Sequence, residues 1–152
     1  MQLQRRTYDG ANTGSSGRMP NVEPLEVGNS VSGSVVAAPE HFASRIVPGT
    51  PDVFSTASLC ALVEKTAADW VATRLTPEQT SVGAEILIRH TAATPAGLTI
   101  TATVKLVAAE GRRYDFEWSA SDGIDDVGSG THQRFAVDLA RFLQRLDAKR
   151  TA

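Results

Sequence analysis

The sequence predicts an α+β fold in which one long central helix packs against a single antiparallel sheet of about five strands, with a second helix at the C-terminus. Two features of the apolar pattern support this prediction. Apolar residues recur at helical spacing between residues 59 and 71, whereas from residue 84 onward they alternate with polar residues. Glycine-containing turns closely separate the alternating segments, which is typical of hairpins and therefore of antiparallel strands.

The domain organisation follows from length and local composition. The chain has 152 residues, enough for one domain with its own core. Residues 1–24 are rich in Gly, Ser, Asn and Arg and lack apolar periodicity, so we predict a disordered N-terminal tail there. A single domain is expected over residues 25–152. Its first strand is predicted at residues 27–36, and prolines at positions 39, 48 and 51 mark the loop that follows.

The central helix is predicted from one apolar face. Ser55 or Thr56 supplies an N-cap, and the pair Thr76-Pro77 ends the segment. The opposite side places Glu64 among small residues, so we expect the helix to be covered on most of its circumference. The residues of the apolar face, at spacings of three and four, are Leu59, Leu62, Val63, Thr66, Ala67, Trp70 and Val71.

Four strands are predicted after this helix. In the first, Ala84, Ile86, Ile88 and His90 share one face. Residues 98–106, 113–120 and 126–137 form the next three, and residues 138–149 form the terminal helix. A strand, a long helix and four hairpin-linked strands in this order are commonly realised as the hotdog fold. Because one sheet around one helix leaves an edge strand uncovered, we expect a homodimer.

The composition excludes several functional classes. The net charge is −2, so the chain has no basic field that would hold nucleic acid or an anionic membrane. No run approaches the roughly 18 apolar residues of a membrane span, and no export signal follows Arg5 and Arg6. Cys60 is the only cysteine, which rules out an intrachain disulfide and fits a cytoplasmic location. The three histidines lie on different predicted elements, so we expect no metal site.

Three residues near the central helix are candidates for chemistry, and each has a structural alternative. Glu64 is either an exposed helix glutamate or a carboxylate facing an apolar cleft, where it would serve as a base or nucleophile. His90 is either a hydrogen-bonded core residue or a catalytic base. Thr56 is either the N-cap or a catalytic hydroxyl, and it precedes Glu64 by eight residues, about 12 Å along a helix. The helix N-terminus itself offers unpaired N–H groups to a carbonyl oxygen.

Residues 128–134 contain a fourth candidate. On a strand, Gly128, Gly130, His132 and Arg134 would point the same way. The segment lacks the lysine and the following helix of a phosphate-binding loop. Its small residues either let another backbone approach closely or leave room for Arg134 to bind an anion, such as a CoA phosphate or a substrate carboxylate.

Four segments of the chain carry a resemblance to a known family: VFST at residues 53–56, LVE at 62–64, HTAATPAGLT at 90–99 and GSGTHQR at 128–134. In this order and at this spacing they resemble the fluoroacetyl-CoA thioesterase family of hotdog proteins. The resemblance extends over residues 27–146, nearly the whole predicted domain.

The resemblance implies a reaction and a site. It places a Thr/Glu/His catalytic set on Thr56, Glu64 and His90, an active-site glycine on Gly83 and a substrate-end arginine on Arg134. It implies a homodimer that binds acyl-CoA near the subunit interface and needs no cofactor, since CoA enters as part of the substrate. The expected reaction is hydrolysis of a short-chain acyl-CoA thioester to the free acid and CoA.

The chain departs from the family at residues 46–52, IVPGTPD. This segment lacks the aromatic side chains with which the fluoroacetate-specialised enzyme closes over its acyl group. The resemblance therefore supports thioester hydrolysis more strongly than fluoroacetyl selectivity. Two other functions stay open on the same scaffold: a hydratase or dehydratase of enoyl or hydroxyacyl thioesters, and a non-catalytic acyl-CoA-binding module.

Overall fold

The computed structural model describes residues 22–152. A 3-10 turn at Pro39–His41 and the short helix α1, Ala43–Ile46, separate the first strand from the long helix. The remaining elements in chain order are β1 (Ser30–Val36), α2 (Thr56–Ala72), β2 (Gln79–His90), β3 (Thr99–Glu110), β4 (Arg113–Ser121), β5 (Asp126–Asp138) and α3 (Leu139–Arg150). No helix within residues 22–152 is long and apolar enough to cross a membrane.

The five strands form one antiparallel sheet in the order β1-β3-β4-β5-β2. Consecutive strands from β3 to β5 are hairpin neighbours, whereas β1 and β2 lie at opposite edges. The hairpin predicted between β2 and β3 is wrong, because β2 pairs with β5 at the other side of the sheet. The predicted α+β arrangement of one long helix, five strands and a C-terminal helix is confirmed. Most of the predicted N-terminal tail, residues 1–21, lies outside the described residues.

Helix α2 packs its apolar face against the sheet. Its buried residues are the same seven that the sequence pattern predicts. Ser55 is the N-cap, and its hydroxyl accepts a hydrogen bond from the backbone N–H of Ser58. The sheet contributes the opposing layer from the inner faces of β3 and β4, where each fully buried large apolar side chain stabilises the fold by about 1.5–3 kcal/mol. These sheet residues are Ile100, Ala102, Val104, Leu106, Phe116, Trp118 and Ala120.

Strand β1, the edge strand paired with β3, also approaches the apolar face of α2. Val31 and Val35 pack against the core from this strand. Between them, a Cβ on Gly33 would collide with the hydroxyl of Thr66, so only glycine allows strand and helix to approach this closely. At the end of the helix, the indole N–H of Trp70 donates to the carbonyl of Glu23 over 2.7 Å.

Strand β2 contains a β-bulge that the alternating sequence pattern does not reveal. Gly83 pairs with Arg134 and Glu85 pairs with Gln133, so Ala84 is an extra residue on the β2 side. The prediction that Ala84 shares the inward face with Ile86 is therefore wrong. Because of this extra residue, the side chains before the bulge alternate in the opposite phase from those after it. Gly83 therefore lies on the helix-facing side of the sheet, together with Ile86 and Ile88.

Helix α3 is capped by Asp138, whose carboxylate accepts from the backbone N–H of Arg141. Its large apolar side chains are only partly covered within residues 22–152. Phe142 is half-buried, whereas Leu139, Leu143 and Leu146 are 38%, 49% and 40% exposed.

Candidate active site

Two of the predicted site residues meet where the long helix begins. Thr56 is the first residue of α2, and His90 is the last residue of β2. The hydroxyl Oγ1 of Thr56 lies 2.9 Å from Nδ1 of His90, within hydrogen-bond distance. Thr56 is exposed and His90 is half-buried, so the pair is open to a ligand. A hydroxyl in contact with an imidazole is the arrangement that activates a nucleophile or orients a base.

The backbone at the start of α2 leaves hydrogen-bond donors free. The N–H of Ser55 donates to the carbonyl of His41, and the N–H of Ser58 donates to the Ser55 hydroxyl. Within residues 22–152, the N–H groups of Thr56 and Ala57 have no hydrogen-bond partner. These two donors lie at the positive end of the helix dipole, where they would stabilise negative charge on a carbonyl oxygen.

A groove of about 190 Å³ runs beside these free N–H groups. Its walls come from α1, from the loop that follows it and from the first residues of α2. The side chains are aliphatic or small. The lining residues are Ala43, Ile46, Val47, Thr50, Ser55, Thr56 and Ala57.

Glu64 lies two turns further along α2 and forms a second group with residues of the sheet. It is half-buried, and its neighbour Lys65 pairs with Asp69 over 2.6 Å instead. A Cβ placed on Gly83 would lie 2.8 Å from Oε1 of Glu64. The carboxylate therefore faces the sheet at Gly83, where only the absence of a side chain leaves room for it. Burial, and then the negative charge of Glu64, raise the pKa of Cys60, which favours the protonated thiol.

Arg134 approaches the same point from β5. The same hypothetical Cβ on Gly83 would lie 3.3 Å from Nη1 of Arg134 and 3.4 Å from Cε1 of His132. Arg134 is only 7% exposed, and it donates to the Ser81 hydroxyl over 3.0 Å and to the Ser81 carbonyl over 3.1 Å. Burial lowers the pKa of Arg134 and the carboxylate of Glu64 opposes this shift, so the guanidinium stays charged at neutral pH.

The five predicted site residues thus fall into two groups on one face of the fold. Thr56 and His90 form one group, and Glu64, Gly83 and Arg134 form the other. No hydrogen bond within the described part of the chain joins Glu64 to Thr56 or to His90. The groups are about 12 Å apart along the helix axis, although long helical side chains lean toward the N-terminus and shorten the gap.

Two residues that contact Arg134 were not assigned a role from the sequence. Ser81 holds the guanidinium through both its hydroxyl and its carbonyl, and His132 contacts it from the same strand. Ser81 precedes Gly83 by two positions, so strand alternation from Gly83 would have found it. His132 precedes Arg134 by two positions, and the pattern already placed both on one face.

The third histidine serves the local fold. Nδ1 of His41 accepts from the backbone N–H of Ala38 over 3.0 Å, and its ring packs against Phe54 at 5.4 Å between centroids. Across residues 22–152, no three His, Cys, Asp or Glu side chains are grouped in a way that could hold a metal ion.

Comparison with known proteins identifies the family. The model of the fluoroacetyl-CoA-specific thioesterase family FlK matches residues 37–140 of the chain. The chain belongs to this family.

Relatives and solved structures agree with the assignment. The fluoroacetyl-CoA thioesterase of Streptantibioticus cattleyicolor is 36% identical over 134 residues, covering 84% of this chain and 96% of the relative. A solved structure of the fluoroacetyl-CoA thioesterase FlK superposes with a TM-score of 0.79 at 35% identity, covering 84% of this chain and 98% of that one. A hot-dog-like protein from Thermanaerovibrio acidaminovorans, at 20% identity, covers 81% and 91% with a TM-score of 0.75, which confirms the hotdog fold.

Proposed function

We propose that this chain hydrolyses short-chain acyl-CoA thioesters to the free acid and CoA. The observation that carries the proposal is the contact of 2.9 Å between the Thr56 hydroxyl and His90, beside two free N–H groups of a helix N-terminus. Attack on a thioester needs a base and a place for the developing oxyanion, and this end of α2 supplies both. Further support comes from a related thioesterase, a variant of FlK, whose crystal structure holds fluoroacetate and CoA.

In the proposed mechanism the thioester carbonyl binds at the N-terminus of α2. The N–H groups of Thr56 and Ala57 polarise it, with help from the Thr56 hydroxyl. In this mechanism Nδ1 of His90 carries the ring proton and donates it to the hydroxyl oxygen of Thr56, which leaves the hydroxyl hydrogen free for the carbonyl. Nε2 then has the free lone pair that would take a proton from water and return one to the departing thiolate.

Glu64 would act on the acyl side of the same carbonyl. Either its carboxylate attacks the carbonyl carbon and expels the CoA thiolate, leaving an acyl-enzyme that water hydrolyses, or it activates the water directly. Gly83 and Arg134 would then border the acyl end of the substrate, because Glu64 faces Gly83 and Arg134 approaches the same glycine from β5.

The acyl group is proposed to be short and not specifically fluoroacetyl. The groove beside Thr56 is bordered by Ile46 and Val47, both 56% exposed, and the 46–52 segment contributes no aromatic side chain. Open aliphatic walls would discriminate weakly between small acyl groups, since one methylene in a hydrophobic pocket changes binding by only about 1–3 kcal/mol.

We further propose that the active form is a homodimer assembled along β2. This strand stands at one edge of the sheet, is twelve residues long and exposes Leu87 by 41%. An edge strand of this length is a template for pairing with a second copy. The same strand carries Gly83 and His90, so a partner seated there would border the acyl-CoA site. Light scattering during size-exclusion chromatography tests this, and a fully active monomer would contradict it.

The decisive experiment measures free thiol released from acetyl-, haloacetyl-, malonyl- and longer acyl-CoAs with a thiol reagent. We expect turnover of several short acyl-CoAs at rates of about the same order, with release of one thiol for each thioester lost. Hydration of an enoyl-CoA without thiol release would favour the hydratase alternative. Saturable binding with an intact thioester, insensitive to His90→Ala, would favour the binding-module alternative.

A further inference from the structure

The side chain of His132 is held by two contacts that together fix its protonation state. Nδ1 lies 2.8 Å from the backbone carbonyl of Glu85, and a carbonyl oxygen can only accept, so Nδ1 carries a proton. On the other side of the ring, Nε2 lies 3.3 Å from Nη1 of Arg134, and a guanidinium can only donate. Nε2 must therefore offer its lone pair, which specifies the neutral imidazole with its single proton on Nδ1.

The surroundings of the ring favour the same neutral form. His132 is 2% exposed and stacks on Phe116 with 6.2 Å between centroids and 26° between planes. Burial lowers the pKa of His132. The positive charge of Arg134 lowers it further, whereas the Glu85 carbonyl and the negative charge of Glu64 oppose the shift. Protonation of His132 at Nε2 would place a second positive charge beside Arg134. It would also turn Nε2 from an acceptor into a donor that faces only another donor.

The contact matters because of where Arg134 points. Its Nε and Nη2 atoms are held by Ser81, which leaves Nη1 as the nitrogen nearest to Gly83. Glu64 faces Gly83 from the helix, yet no salt bridge within 4.0 Å joins Glu64 to Arg134 in residues 22–152. One N–H group of Nη1 donates to His132. Without His132, this N–H group would be free to turn toward the Glu64 carboxylate.

We propose that His132 is a positioning residue that, as the neutral Nδ1–H tautomer, holds the Arg134 guanidinium toward Gly83 and away from ion pairing with Glu64. The inference rests on the proposed function in one respect, that Glu64 and Arg134 act on the acyl end of the substrate. Glu64 then keeps a free carboxylate for catalysis, while Arg134 stays aligned to meet the acyl group. A direct Glu64–Arg134 ion pair would occupy both groups at once.

Two substitutions at position 132 distinguish the effect of the hydrogen-bond acceptor from the effect of the ring volume. His132→Phe retains the stacking on Phe116 and removes both nitrogens, whereas His132→Gln offers an amide oxygen near the place of Nε2. Thr131→Val, on the exposed side of the same strand, is the matched control. With acetyl-CoA at neutral pH, we expect kcat to fall at least about tenfold in His132→Phe and to stay within about threefold of the parent in His132→Gln. Equal losses in both variants, in proportion to their loss of thermal stability, would overturn the proposal.

A spectroscopic readout tests the inference without turnover. In ¹⁵N spectra of the whole protein, we expect His132 to show a protonated Nδ1 and a bare Nε2 at neutral pH. Arg134→Leu should then shift the Nε2 resonance, because its hydrogen-bond donor is lost. A proton on Nε2, or an Nε2 resonance that ignores Arg134→Leu, would overturn the proposal. If the parent protein released no thiol from any acyl-CoA, the proposed function would fail, while these spectra would still decide the role of His132.

Discussion

Gly83 and Glu64 meet where helix α2 crosses the bulged part of β2, so closely that a Cβ on the glycine would lie 2.8 Å from Oε1 of the carboxylate. Real Cβ atoms essentially never come closer than 3.0 Å to another heavy atom, and a methyl group at this point would also crowd Nη1 of Arg134 at 3.3 Å. The carboxylate and the guanidinium can therefore face a common point only while position 83 has no side chain.

The first prediction concerns Gly83→Ala. The added methyl group should push the Glu64 carboxylate and the Arg134 guanidinium apart, so kcat/KM for short acyl-CoAs should fall by about 10²-fold, the usual cost of a displacement near 1 Å. The fold should survive, because Gly83 is exposed and has no left-handed backbone conformation. Steady-state kinetics and circular dichroism check the two statements. Ala84→Ser, at the exposed extra residue of the bulge, is the control and should keep parental kinetics; a parental rate in Gly83→Ala would contradict the crowding argument.

A second prediction addresses the carboxylate itself. Glu64→Gln keeps the size of the side chain but removes its charge, so kcat should fall by at least about 10²-fold, as expected for a nucleophile or general base. Glu117→Gln, an exposed position on β4, provides the control for a lost negative charge. Thiol release measured across the acyl-CoA series is the readout. A nearly parental rate on every substrate would remove Glu64 from the mechanism.

Features that depend on residues close together in the chain could be predicted from the sequence, whereas features that depend on strand pairing could not. The apolar face of α2, from Leu59 to Val71, and its N-cap Ser55 follow from spacing and side-chain chemistry alone, because both depend on residues close in the chain. The bulge at Ala84 could not be predicted in this way. It is defined by the register between β2 and β5, which lie about fifty positions apart in the chain. For the same reason strict alternation would have put Gly83 and His90 on opposite faces of the strand.

The division of the site residues into two groups could not be predicted from the sequence either. Helix geometry alone gives the separation of Thr56 and Glu64, and it argues against a direct bond between them. It cannot tell that Thr56 contacts His90, because that contact depends on the end of β2 returning to the start of α2. The bonds from Arg134 to Ser81 and His132 likewise depend on cross-strand register and on side-chain rotamers.

A third prediction tests the hydroxyl at the helix N-terminus. Thr56→Ala removes the partner of His90 Nδ1 and should lower kcat by about 10²-fold, whereas Thr56→Ser retains a hydroxyl and should stay within about tenfold of the parent. Thermal unfolding should change little in either variant, because Ser55 and not Thr56 caps the helix. Equal kinetics for the alanine and serine variants would show that the hydroxyl has no part in turnover.

The last prediction concerns the stability of the fold at acid pH. Asp122 accepts a hydrogen bond from Thr94, in the loop that contacts the chain just before α2. Hydrogen bonds from the backbone N–H of Asp125 and from the Thr94 hydroxyl, each 2.8 Å, lower the pKa of Asp122. The carbonyl of Thr94 in turn accepts from the N–H of Phe54, two residues before Thr56. Because the folded pKa lies below the unfolded value of about 3.9, the stabilisation is complete above that pH and is lost as the pH falls through the folded pKa.

Removing one of these donors should therefore move acid unfolding in a defined direction. Thr94→Val raises the folded pKa of Asp122 toward its ordinary value, so the acid midpoint should shift to higher pH. At neutral pH the free energy of unfolding should fall by about 1.5–3 kcal/mol, the usual contribution of a hydrogen bond to a charged group. Urea titrations between about pH 2 and pH 7 measure both effects. Thr99→Val, an exposed substitution of the same kind, should leave the acid midpoint in place, and an unshifted midpoint in Thr94→Val would show that this hydroxyl does not stabilise the carboxylate.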